Sequence, residues 1–120
     1  MSYKPFHPDA TTCISNDSLA LWIRAPVTGD LLQVPGLGPA YAAAFKAAGI
    51  TTTHQLIAKY LSFKGEGVGS VELMDRFYYW IQDTLQENKG NTKAGVAAAI
   101  GEKANLVFPK IYDVSCYERR

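Results

Sequence analysis

The groups with the clearest chemical potential in this chain belong to its backbone. They lie in Leu32-Gln33-Val34-Pro35-Gly36-Leu37-Gly38-Pro39-Ala40-Tyr41-Ala42. Gly36 and Gly38 permit a tight turn in which no Cβ shields the main chain. Pro39 has no amide to lose at the first position of a helix, and its fixed φ suits that position. The alanine-rich run to Ala48 predicts a helix, ended by Gly49. First-turn amides have no partner inside their helix and sit at its partly positive end, an arrangement that suits a phosphate. The candidate donors are the amides of Leu37, Gly38, Ala40 and Tyr41. Gly36 shapes the turn, and Lys46 is a nearby charge. The expected chemistry is contact with a nucleic-acid backbone, which sets position without reading bases.

Side-chain chemistry offers less. Neither Asp83 nor His54 belongs to an acid–base or nucleophile pattern, so no enzyme is expected. Cys13, Cys116, His7 and His54 make no zinc spacing, and no metal or cofactor is expected. Gly65, Gly67 and Gly69 lack the lysine–hydroxyl pair and leading strand of a phosphate loop, and read as a connector. The 120 residues fit one domain. A hydrophobic share of 48% and seven tyrosines indicate a folded chain. A net charge of +1 excludes coating of DNA by bulk charge. With no signal-peptide pattern or spanning run, the chain is expected to be soluble, intracellular and without membrane insertion.

The elements that must position the hairpin follow from caps and periodicity. Residues 1–15 read as a flexible N-terminal arm. Asn16-Asp17-Ser18 can cap a short helix over Leu19–Arg24 that contains Trp22. Thr28-Gly29-Asp30 can start a second short helix carrying Leu31, Leu32 and Val34. After Gly49, a threonine caps His54–Phe63, whose apolar face is Leu56, Ile57, Tyr60 and Leu61. Ser70 can cap the longest helix, Val71 to about Glu87, with a stripe of Val71, Met74, Phe77 or Tyr78, Ile81 and Leu85. Asn88 to Asn91 form a turn, and Thr92 opens a small-residue helix through Ile100 or somewhat beyond. From Pro109 the chain is either a short strand or an extended arm.

The hairpin resembles helix-hairpin-helix DNA-binding modules. The order of its neighbours narrows the likeness. Pro26-Val27-Thr28-Gly29 leads into the glycine turn, and Phe77-Tyr78-Tyr79-Trp80-Ile81-Gln82-Asp83-Thr84 follows at a matching distance. Over about Asp17 to Phe108 the chain looks like the barrier-to-autointegration factor family. That resemblance implies an all-α fold, a compact five-helix bundle-like domain over residues 16–108 with a C-terminal extension over 109–120. It also implies a chromatin-organising homodimer that binds double-stranded DNA without sequence preference and bridges duplexes. A LEM-domain-like protein or other assembly subunits are implied as further partners, and the nucleus as the compartment; a virion or another DNA-containing assembly fits the same residues. The chain departs from the family in its longer arm, its tail, its alanines at positions 40, 43 and 44 and its Ala/Gly-rich last helix.

Two further expectations concern surfaces. The long helix carries more aromatic surface than one face can bury, and Phe77, Tyr79 and Trp80 are the candidate dimer interface. Alternatively, the chain is a structural or adaptor subunit that keeps the fold without binding DNA. Ile111, Tyr112, Val114 and Tyr117 of the tail would then dock on a neighbour, and removing the tail would spare the fold.

Overall fold

Five helices make up most of the regular structure in a computed structural model, which describes residues 5–11, 14–85 and 92–117. They are α1 (Asn16–Arg24), α2 (Pro39–Ala47), α3 (Thr53–Ser62), α4 (Ser70–Thr84) and α5 (Lys93–Asn105). Short 3-10 turns occur at Pro8–Thr11, Leu31–Gln33 and Val114–Tyr117. Among the described residues there is no strand, and the fold is all-α as the sequence predicts. The expected turn at 88–91 lies outside the described residues.

Local chemistry fixes the helix ends. The Ser15 hydroxyl accepts the Ser18 amide at 3.0 Å and caps α1. Thr52 and Gln55 form a reciprocal capping box at the start of α3. At the end of α2, Gly49 takes φ +90°. Its amide reaches the Lys46 carbonyl at 3.0 Å, and the Ile50 amide reaches Phe45 at 2.8 Å, closing a Schellman turn. Ser70 does not cap α4, because the cap position falls on Gly69. The Ser70 hydroxyl instead accepts the Asp113 amide at 2.8 Å, which ties the tail to α4.

The centre of the fold is α5. Residues 94–101, Lys103 and Ala104 are all buried, so this helix is covered on every side. Its small side chains let neighbours approach closely. A Cβ on Gly101 would stand 2.6 Å from Met74 Cε and 3.0 Å from the Tyr112 ring. The helix continues to Asn105, beyond the expected end near Ile100.

Lys103 is 8% exposed, and its ammonium closes the other end of α1. It donates to the carbonyls of Trp22 at 2.7 Å, Ile23 at 3.1 Å and Ala25. It also lies 4.8 Å from the centroid of the Trp22 ring. The last carbonyls of a helix lack internal partners and carry partial negative charge, so a buried cation is compensated there. Burial still pushes the Lys103 pKa below its ordinary value. The Trp22 indole N–H donates to the Ala99 carbonyl at 2.7 Å and completes the α1–α5 joint.

Both chain ends depart from expectation. Phe6 is fully buried, with edge contacts to Tyr78, Tyr112 and Tyr117 at 5.7, 6.0 and 5.8 Å between ring centres. Its amide donates to Asp75 Oδ1 at 3.0 Å. Residues 5–11 are therefore held in place where the sequence suggested a flexible arm; the aromatic at position 6 had no visible periodicity to reveal this. Over its described residues, 109–117, the tail is neither strand nor extended arm. It turns back through Lys110, at φ +72°, into the 3-10 turn at Val114–Tyr117. Tyr112 and Tyr117 are 4% and 3% exposed, inside the chain's own core.

Burial of this tyrosine cluster has a pH consequence. Desolvation raises the Tyr60 and Tyr112 pKa values well above the ordinary 10.0. In the unfolded chain both phenols ionise near 10, while in the native chain they keep their protons. The unfolded state therefore binds fewer protons above that pH, and stability falls as pH rises. Lys103, with its pKa lowered, acts in the opposite sense only up to its ordinary 10.5. Between pH 10.5 and about 11.5, the two phenols are expected to lower the unfolding free energy by about 2 kcal/mol. Urea unfolding at the two pH values checks this, and equal midpoints would refute it.

Candidate nucleic-acid interface

The hairpin is anchored before it turns. Asp30 accepts the Leu32 amide at 2.9 Å and caps the 3-10 turn at Leu31–Gln33. The Gln33 side chain reaches back, donating to the Pro26 carbonyl at 2.7 Å and accepting the Thr28 amide at 3.1 Å. The Gly29 amide donates to the fully buried Thr53 hydroxyl at 3.0 Å, joining this segment to α3. Leu31, Val34 and Leu37 are buried and fasten the hairpin to the core. The first arm of the hairpin is thus a single 3-10 turn, where the sequence suggested a short helix.

Gly36 and Gly38 have different tasks. Gly36 has φ +84°, the left-handed region that favours glycine. A Cβ there would stand 2.7 Å from Ile14 Cδ1 and 3.1 Å from Thr92 Cβ. The Thr92 hydroxyl donates to the Gly36 carbonyl at 2.8 Å. Gly38 has φ −93° and ψ −176°, extended backbone that any residue adopts, and a Cβ there would meet no atom within 4 Å. Gly36 is therefore enclosed, and Gly38 is open.

Of the four predicted donors, one is already bonded within the turn. The Leu37 amide donates to the Val34 carbonyl at 3.1 Å inside the turn, so it is corrected from candidate donor to part of the scaffold. The first intrahelical bond of α2 runs from the Ala42 amide to the Gly38 carbonyl at 2.9 Å. This leaves the amides of Gly38, Ala40 and Tyr41 without an acceptor among the described residues. Ala40 is exposed, whereas the Tyr41 side chain is buried with its hydroxyl unpartnered among the described residues. Lys46 is exposed but seven residues along α2 from Pro39, about 10 Å down the axis. It does not converge with the three amides, and it can meet only a neighbouring part of an extended ligand.

Beside the hairpin runs an open groove of about 620 Å³. Ser18, Leu21 and Trp22 of α1 and its C-cap residue Ala25 line one wall, and residues 32–38 line the other. Leu21 and Leu32 are exposed on its rim.

The three residues assigned to a dimer face do not share one surface. Phe77 is fully buried, edge-on to Tyr60 at 5.1 Å and stacked on Trp80 at 5.9 Å. Trp80 is half-buried, stacks on Phe45 at 5.6 Å and lies 5.2 Å from the Lys59 ammonium. Phe77 is corrected from interface to core, since the aromatic surplus of α4 is absorbed by α2 and α3. Tyr79 alone of the three is exposed. Sequence reasoning missed Ile14, Lys103 and the contact of Thr92 with Gly36, since none of the three stands in a periodic pattern that would mark it.

Among the described residues, no three His, Cys, Asp or Glu side chains come together as a metal site. No described helix is long and apolar enough to cross a membrane. No protein-family model, curated protein or solved structure matches the chain.

Proposed function

We propose that the start of α2 binds the phosphate backbone of double-stranded DNA without sequence preference. The observation that carries this reading is the set of amides at Gly38, Ala40 and Tyr41, at the positive end of a helix and beside an unobstructed glycine. The likeness of the hairpin and of Phe77–Thr84 to the barrier-to-autointegration factor family supports it. In the same reading the chain pairs as a homodimer, bridges two duplexes with two hairpins and organises chromatin in the nucleus, where a LEM-domain-like protein is a further partner. The near-neutral charge fits a binder that touches few phosphates. The logarithm of affinity then falls with the logarithm of salt by about 0.9 per phosphate neutralised.

Gly38→Asp tests the site without harming the fold. The backbone at Gly38 accepts any residue, and aspartate is a good N-cap whose oxygen takes an amide of the first turn. Stability is expected to rise by a few tenths of a kcal/mol. Duplex affinity is expected to fall by about 10- to 100-fold, because a donor is occupied and a negative charge faces the phosphate. Fluorescence anisotropy with two unrelated duplexes measures it. Equal affinity of parent and variant would sink the reading.

An adaptor role is the second reading, and the exposed Leu21 and Leu32 on the groove favour it. It no longer rests on Tyr112 and Tyr117, which the core occupies. Leu21→Asp would abolish assembly in that case and leave duplex binding unchanged.

A further inference from the structure

Ile14 and Thr92, far apart in sequence, meet at the hairpin. The Thr92 hydroxyl donates to the Gly36 carbonyl at 2.8 Å. Thr92 occupies the cap position of α5, yet its side chain makes no cap bond there. Its hydroxyl therefore serves the hairpin and not its own helix. Ile14 is wedged between two glycines of different elements. A Cβ on Gly36 would stand 2.7 Å from Ile14 Cδ1, and one on Gly95 would stand 2.2 Å from Ile14 Cγ1. One isoleucine thus fills the space that the absence of two side chains leaves between the hairpin and α5.

We propose that Thr92 is a positioning residue that latches the Gly36 turn onto α5, with Ile14 as the wedge behind it, so that the start of α2 is held ready for its ligand. The ligand is the DNA phosphate of the reading above, on which this part of the inference rests. Preorganisation matters here because a turn that must be ordered on binding costs affinity. The segment around Ile14 thereby gains a role in setting affinity, although it supplies no contact to the ligand.

The latch has a readout that does not require DNA. The Leu37 amide is bonded across the turn to Val34, so its hydrogen exchange reports opening of the hairpin. Thr92→Val keeps the side-chain shape and removes the donor. It is expected to speed Leu37 exchange by about three- to tenfold, the range set by one hydrogen bond, while the Leu56 amide of α3 is unchanged. Duplex affinity in the intact chain falls by a similar factor, and Thr92→Ser restores both. Ile14→Ala speeds the same exchange without touching the hydroxyl. Unchanged Leu37 exchange in Thr92→Val would overturn the latch. Faster exchange with unaltered duplex affinity would overturn the positioning role. A parent chain that binds no duplex would defeat the DNA reading and leave the latch to stand on exchange alone.

Discussion

Truncation after Phe108 is expected to unfold this protein. The deleted residues include Tyr112 and Tyr117, at 4% and 3% exposure, and the Asp113 amide that binds Ser70. Removing a buried aromatic side chain typically costs about 3–5 kcal/mol. Two such losses approach the whole stability of a small domain, about 5–15 kcal/mol. The two tyrosines share Phe6 as a neighbour, so their losses are coupled and not strictly additive. Phe6 would also lose two of its three ring contacts, loosening residues 5–11 together with the tail. The expected melt by circular dichroism has its midpoint lowered by about 20 °C or more, or shows no cooperative transition. A midpoint within about 5 °C of the parent would mean that the tail is peripheral after all.

This expectation reverses that of the adaptor reading of the sequence, in which removing the tail from Pro109 would abolish assembly but spare the fold. Ile111, Tyr112, Val114 and Tyr117 alternate loosely with polar residues, which is as consistent with a strand or a docking arm as with core. Which of them is buried depends on the turn at Lys110 and on the partner ring of Phe6, some hundred residues earlier in the chain. Such long-range pairing leaves no periodic trace. Helix α5 was hard to read for a related reason. Its alanines and glycines give no apolar stripe, because every face is covered. What periodicity and capping do encode was legible: the starts of α2 and α3, the Schellman turn at Gly49, and the stripe of Met74, Phe77, Ile81 and Leu85. At the hairpin, the spacing of Gly36, Gly38 and Pro39 located the turn and the helix start. It did not separate the enclosed glycine from the open one, because that difference is made by Ile14 and Thr92.

Phe77→Ala is expected to cost about 3–5 kcal/mol of folding stability, the usual range for emptying a packed aromatic site. The side chain has no exposed surface, and it lies between Tyr60 and the stacked Trp80. Its loss would also remove one of the rings that stack on Trp80, which would keep its stacking on Phe45 and its contact with the Lys59 ammonium. Tyr79→Ala is the informative companion. Tyr79 is 38% exposed, and its removal is expected to change folding stability by about 0.5 kcal/mol or less. If two copies pair through the exposed side of α4, Tyr79→Ala raises the dissociation constant in sedimentation while its melt at low concentration matches the parent. Phe77→Ala lowers the melt at every concentration, since its neighbours lie in the same chain. The opposite pattern, with Phe77→Ala fully folded and merely monomeric, would return Phe77 to an intermolecular surface and contradict the packing of α3 against α4.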